Sequence, residues 1–138
     1  MKYCISFGIL MILSCTSCSS QNIDKEKERL LALTEMPENI YPFETYDEWY
    51  PNGDGYFLAR YRLNKGNFID IKNRIKKLSG VKKLPFGDEI IDNLIYEYVD
   101  EEDQGLYYLE FNKNDKRDIH MILLDETKGE LIFMISYQ

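Results

Sequence analysis

The side chains that could carry out catalysis are few, and their spacing fits no familiar catalytic constellation. His120 is the only histidine, and it stands between Ile119 and Met121 in a strand-like stretch. Catalytic triads and histidine-based metal sites need further histidines or cysteines at a defined spacing, as in the HExxH motif. We therefore interpret His120 as a strand residue that faces solvent or has its ring nitrogens satisfied. The sequence predicts a protein that is not an enzyme and that uses no metal or cofactor.

Adjacent carboxylates could indicate a glycosidase, and a glycine-rich turn could indicate a calcium site. Neither pattern is specific. Adjacent acids occur at Asp47–Glu48 and at Glu101–Glu102. A glycosidase needs two carboxylates separated across a cleft, and neighbouring positions do not predict such a separation. Asn52 and Asp54 lie in a segment that superficially resembles a calcium loop, but the alternate carboxylates and distal glutamate of an EF-hand are missing. We interpret Pro51–Gly55 as a tight turn between strands.

The charge of the chain limits its partners. The formal net charge is −7, and a field of that sign repels phosphate backbones, so nucleic acid is not an expected partner. The densest acidic field ends in a predicted turn, where side chains can project toward a basic protein and steer its association. The predicted partner-binding residues are Asp92, Glu97, Asp100, Glu101, Glu102 and Asp103.

A second candidate site is the group of aromatic residues between positions 41 and 50. Sugars stack on exposed aromatic faces while nearby acids accept their hydroxyl groups, so this group could bind a glycan or another small ligand. Large aromatic side chains are also common at the edge of a core, and we favour that interpretation. The residues of the alternative ligand-binding site are Tyr41, Tyr46, Trp49 and Tyr50.

All three cysteines, Cys4, Cys15 and Cys18, lie near the N-terminus, and residues 19–138 contain none. The sequence after Cys18 therefore excludes an internal disulfide, a thiol nucleophile and a cysteine-based metal site. Lys2 is followed by an apolar run of about ten residues, which is typical of an export signal and too short to span a bilayer as a helix.

The end of this run resembles the lipobox of bacterial lipoproteins, in which an aliphatic residue and small residues precede the cysteine that receives a lipid. Ile12–Ser14 before Cys15 matches that pattern, and Cys18 after Thr16–Ser17 is the alternative. The resemblance implies a signal peptide over residues 1–14, or 1–17 if Cys18 carries the lipid. It also implies a lipidated tether over 15–23 and attachment to a membrane of the bacterial cell envelope.

The remaining residues, 24–138, are sufficient for one hydrophobic core and predict a single monomeric domain. Asp24 could cap a short helix, and Asn67 could cap an amphipathic one. Alternation predicts a strand from Gly55 to Leu63, whereas residues 88–99 fit either a helix or a strand. Three further strands are predicted at Leu106–Phe111, Ile119–Asp125 and Glu130–Tyr137.

This order of elements predicts an α+β fold. We expect a two-layer sandwich of a mostly antiparallel sheet of four or more strands, with one main amphipathic helix and a C-terminal three-strand meander. For the function, we favour a non-enzymatic, membrane-anchored protein that binds a protein partner, similar to immunity or inhibitor proteins. The alternative is a lipoprotein that binds a glycan or small ligand.

Overall fold

The computed structural model describes residues 18–87 and 95–138. Within them, two helices accompany one open, antiparallel, six-stranded sheet, which confirms the predicted α+β class. The strand order across the sheet is β1-β2-β6-β5-β4-β3. The elements are α1 (Cys18–Thr34), β1 (Glu44–Trp49), β2 (Gly55–Arg62), α2 (Lys65–Ile75), β3 (Lys82–Lys83), β4 (Gly105–Phe111), β5 (Ile119–Asp125) and β6 (Glu130–Tyr137).

Both faces of the sheet are covered, which explains why β5 and β6 are apolar on both sides. On one face, α1 and α2 contribute Leu30 and Ile71 to a core that also contains Phe133 of β6. On the opposite face, Ile95 packs against a second core built around Met121. The three strands β4, β5 and β6 pair in sequence, so the predicted meander is confirmed.

α1 begins earlier than the sequence pattern predicts. We expected a short helix capped by Asp24, whereas the helix begins at Cys18 and includes residues 18–23 of the predicted tether. Residues 19–22, just before Ile23, are all polar and carry no apolar helical period, so the sequence pattern gave no helix signal there. Ile23 and Leu30 are both buried, and Leu30 packs in the core between α1 and the sheet.

α2 confirms the predicted amphipathic helix but begins one turn earlier than expected. Its N-cap is Asn64, whose side-chain oxygen accepts a hydrogen bond from the Asn67 backbone N–H at 2.9 Å. Asn67 therefore lies inside the first turn, so its prediction as the cap is wrong. Ile71 and Ile75 are buried against the sheet, as their spacing predicts.

β1 is an edge strand that the sequence pattern did not predict. Glu44–Glu48 are all exposed, and only Trp49 is partly buried, so the strand lacks the alternation that a buried face imposes. The predicted turn is confirmed between β1 and β2, with Gly53 at a φ of 94°. The Trp49 ring lies so close to Gly55 that an added Cβ would be 2.1 Å from Trp49 Cε3, and therefore only glycine fits there.

Part of the chain lies outside the described residues. This part includes the predicted signal peptide with Cys15, and residues 88–94 of the segment for which helix and strand were both open. The described end of that segment forms a turn, in which the Tyr98 N–H donates to the carbonyl of Ile95 at 2.8 Å. In residues 18–87 and 95–138, no helix has the length and apolar character needed to cross a membrane.

Candidate binding site

A groove with a volume of about 520 Å³ lies beside the edge strand β1, and we call it the tyrosine groove. Three separate parts of the chain form it: the β1-β2 hairpin, the turn after Ile95, and the end of β6. Its lining combines six tyrosines with three carboxylates. The lining residues are Tyr46, Glu48, Tyr50, Asp54, Gly55, Tyr56, Tyr96, Glu97, Tyr98, Ser136, Tyr137 and Gln138.

Strand pairing places the first wall of the groove. Cross-strand partners share a face of the sheet, and the register pairs Glu48 with Tyr56 and Tyr46 with Leu58. Leu58 belongs to the second core, so Tyr46, Glu48 and Tyr56 lie on the face that the helices do not cover. The rings of Tyr46 and Tyr56 are 6.0 Å apart between centroids and tilted by 58°. This geometry is typical of a stabilising aromatic pair.

The hairpin turn provides the second wall. The Tyr50 N–H donates to the carbonyl of Asp54 at 2.8 Å, which closes the turn and holds both residues at the groove. The Asn52 side-chain amide donates to the Asp54 carboxylate at 2.6 Å. Asn52 and Asp54 therefore stabilise a turn, and the calcium-loop interpretation is not needed to explain their spacing.

The turn after Ile95 provides the third wall. Ile95 is buried in the second core and anchors the three residues that follow it, Tyr96, Glu97 and Tyr98. The Tyr96 hydroxyl donates to the Glu97 carboxylate at 3.0 Å. The Tyr98 carbonyl accepts a hydrogen bond from the Lys128 ammonium at 2.9 Å, which fixes this wall to the β5-β6 turn.

Three tyrosines of the groove, Tyr46, Tyr56 and Tyr96, remain protonated near neutral pH. The negative charge of Glu48 raises the pKa of Tyr46, and the hydrogen bond to Glu97 raises the pKa of Tyr96. Burial raises the pKa of Tyr56 well above its ordinary value. The phenols of these three tyrosines are therefore neutral hydrogen-bonding groups, and the carboxylates supply the charge of the groove.

Within the described residues the carboxylates of the groove form no ion pair, although Arg117 interacts electrostatically with Asp54. Of the described residues that line the groove, none is a lysine or an arginine. Arg60 lies near the rim, with its guanidinium carbon 5.4 Å from the Tyr98 ring centroid. Its two terminal nitrogens, Nη1 and Nη2, are bound to Glu44 and Glu130, at 2.5 and 2.6 Å, whereas Nε is buried without a hydrogen-bond partner. Tyrosine faces beside unpaired carboxylates suit a guanidinium or ammonium group, through cation–π contacts and charge-assisted hydrogen bonds.

The structure separates the four residues of the predicted aromatic site. Tyr46 and Tyr50 line the groove and are 47% and 61% exposed, so the favoured interpretation of a core edge is wrong for them. Trp49 lies on the opposite, helix-covered face, where it packs against Tyr137 at 5.7 Å and supports the first core. Tyr41 is exposed before β1 and does not line the groove.

The structure also separates the predicted acidic site. Glu97 lines the tyrosine groove, whereas Glu101 and Glu102 are exposed beside Lys76 in a separate depression of mixed charge. Asp92 lies outside the described residues. Asp103 was expected to project from the turn, but it is only 7% exposed.

Lys128 is the reason why Asp103 points inward. Its ammonium lies 2.7 Å from Asp103, 3.0 Å from Asp100 and 3.9 Å from the fully buried Asp125. Burial opposes the ionisation of Asp103, but bonds from Lys128 and from the Asp100 N–H outweigh it and lower the pKa of Asp103. Burial raises the pKa of Asp125. We call these four residues the Lys128 cluster, and its role is structural.

His120 is a satisfied polar group, which confirms one of the two predicted alternatives. Arg29 lies 3.1 Å from His120 Nδ1, and because a guanidinium can only donate, this nitrogen accepts. His120 Nε2 then carries the proton and donates to the Tyr137 hydroxyl oxygen at 3.0 Å. Arg29 also binds Glu26 and Glu110, at 2.7 and 2.5 Å, which joins α1 to the sheet. Burial lowers the pKa of His120.

Sequence reasoning missed most of the groove. Tyr56, Tyr96, Tyr98 and Tyr137 were not singled out, because each stands in a different segment and carries no local motif. An indirect signal was available in the composition, since the chain contains 11 tyrosines. No family model, curated protein or solved structure matches this chain.

Proposed function

We propose that this chain is a non-enzymatic binding protein, anchored by lipid to a bacterial envelope membrane, that holds a basic segment of a partner protein in its tyrosine groove. The observation that carries the proposal is the lining of the groove, with six tyrosines, three carboxylates and no basic side chain among the described residues. Such a site selects a cation over a neutral or acidic group. A role similar to that of immunity or inhibitor proteins agrees with this selectivity.

Two further observations support the non-enzymatic and anchored parts of the proposal. The single histidine has both ring nitrogens occupied, by Arg29 and by Tyr137, so it does not offer a free general base. The sequence Ile12–Ser14 before Cys15 resembles a lipobox, with Cys18 as the alternative lipid carrier. A membrane anchor would hold the groove near an incoming partner and raise its effective concentration.

The experiment uses the full chain in detergent and a short peptide of alternating arginine and threonine. The emission of the single tryptophan, Trp49, reports binding because its ring contacts Tyr137 at the rim of the groove. The double variant Glu48→Gln/Glu97→Gln should weaken binding by about tenfold, since two charge-assisted contacts are lost. The matched control Glu101→Gln/Glu102→Gln removes the same charge outside the groove and should change the affinity by less than about twofold.

Two outcomes would contradict the proposal. Equal weakening by the two double variants would mean that only the overall charge attracts the peptide. Binding of a neutral oligosaccharide that is lost with Tyr46→Ala, in a chain that does not bind the arginine peptide, would favour the glycan alternative.

A further inference from the structure

The two edges of the sheet differ in length and in charge. β3 forms one edge and has only two residues, both lysines. β1 forms the other edge, has six residues, and pairs only with β2 among the described strands. The outer backbone edge of β1 therefore carries N–H and C=O groups that can pair with another extended chain. Its length is sufficient for such a chain to form several hydrogen bonds.

The open edge is continuous with the tyrosine groove. Residues that alternate along β1 lie on the groove face, and these are Glu44, Tyr46 and Glu48, opposite Arg60, Leu58 and Tyr56. An added strand would place every second side chain on that same face. Those side chains would lie beside Tyr46 and Glu48, at the opening of the groove.

The charge of β1 decides what kind of chain can pair with it. Glu44, Asp47 and Glu48 are acidic, and the strand contains no basic residue. Glu44 is bound to Arg60 and Asp47 to Lys27, but Glu48 forms no ion pair within the described residues. A second copy of β1 would bring acids against acids, which is unfavourable directly across a strand pair. A segment with arginine or lysine at alternate positions complements this edge.

We infer that the partner segment binds as an added strand on β1, with its alternate basic side chains inserted into the tyrosine groove. This inference rests on the proposed function and extends it, because it assigns a conformation and a residue period to the partner. Main-chain hydrogen bonds to β1 would contribute affinity for any extended chain. The groove would provide selection for basic side chains.

The test is a scan of the arginine-threonine peptide by backbone N-methylation, with the full chain in detergent. Methyl groups are placed either on one set of alternate residues or on the other. In an antiparallel or parallel added strand, only one set directs its N–H groups toward β1. Methylation of that set should weaken binding by about tenfold or more, and methylation of the other set should change it by less than about twofold.

The outcomes separate this inference from the proposed function. Equal effects of the two methylated sets, whether strong or weak, would overturn the added strand. If the Glu48→Gln/Glu97→Gln variant still weakened binding in that case, the groove would remain the site of a basic segment. If no arginine peptide bound at all, both proposals would fail.

Protection of β1 amides from hydrogen exchange in the complex is the second expected result, and its absence would also overturn the added strand.

Discussion

The tyrosine groove and the Lys128 cluster are both rich in carboxylates, yet they differ in what neutralises these carboxylates. In the cluster, the Lys128 ammonium lies within 3.0 Å of two aspartates and draws Asp103 into the interior. In the groove, Glu48 and Glu97 have tyrosines as neighbours and no described lysine or arginine. The first arrangement stabilises a turn, and the second leaves charge available to another molecule.

The density of acids along a sequence therefore does not predict which of them are available to a partner. The run from Asp100 to Asp103 is the most acidic stretch of the chain, but its neutralising cation comes from a different hairpin. Glu97 stands just before this run and remains exposed at the groove. Availability depends on tertiary contacts, and these contacts have measurable effects on the free energy of unfolding and on its pH dependence.

The largest effect on stability is expected from Lys128→Met. The change keeps an unbranched side chain but removes the cation from beside Asp100, Asp103 and Asp125, so these carboxylates repel one another. We expect the free energy of unfolding to fall by about 2 kcal/mol, less than for a fully buried pair because the Lys128 side chain is 29% exposed. Urea unfolding followed by circular dichroism measures this.

The control is Lys76→Met, which makes the same chemical change at an exposed position of the charged depression. It should alter the unfolding free energy by less than about 0.5 kcal/mol. Equal losses of unfolding free energy in both variants would mean that the Lys128 cluster is no more stabilising than an ordinary charged surface.

A smaller loss of unfolding free energy is expected from Asp103→Asn in the Lys128 cluster. Glu97→Gln is the matched change in the tyrosine groove. The asparagine oxygen can still accept hydrogen bonds from the Asp100 N–H and from Lys128, but the negative charge opposite the Lys128 ammonium is lost. We expect a loss of about 1 kcal/mol for Asp103→Asn and less than about 0.5 kcal/mol for Glu97→Gln. The reverse order in thermal melts would mean that Glu97, and not Asp103, is structural.

The smallest effect is expected from the titration of His120, which lies between the groove and α1. Burial holds its folded-state pKa below the ordinary value of 6.5, so the unfolded chain binds the extra proton first as the pH falls. The contribution of His120 to the free energy of unfolding is therefore fully present above about pH 6.5 and decreases as the pH falls below that value. Melting temperatures of the wild type and of His120→Gln, compared from neutral to mildly acidic pH, should converge toward lower pH. A constant difference would contradict the neutral ring assigned here.

Much of the sheet was predictable from sequence because its strands have buried faces. The alternation of Phe57, Ala59 and Tyr61 predicted β2, and all three contact the helix-side core. The apolar runs predicted the last two strands, and the two cores on either side of the sheet account for the apolar residues on both of their faces.

The sequence did not predict a strand that lacks an alternating buried face, or contacts whose two residues lie far apart in the chain. β1 has five exposed residues in succession, so no pattern marked it as a strand. The partner of Asp103 is Lys128, 25 positions away in the chain. Only Tyr46, Tyr50 and Glu97 of the groove were selected from sequence, and they were assigned to two different sites. Strand pairing and the turn after Ile95 bring them together.

The position of β6 has a consequence for the order in which this protein is made. Although β6 follows every other described strand in the chain, it pairs with β2 on one side and β5 on the other. A ribosome-bound chain that lacks residues 130–137 can form the β1-β2 and β4-β5 hairpins, but no strand pairing joins them. Isolated two-stranded hairpins have little stability in water. The sheet therefore closes only after nearly all of the described residues have been synthesised, because β6 joins its two halves.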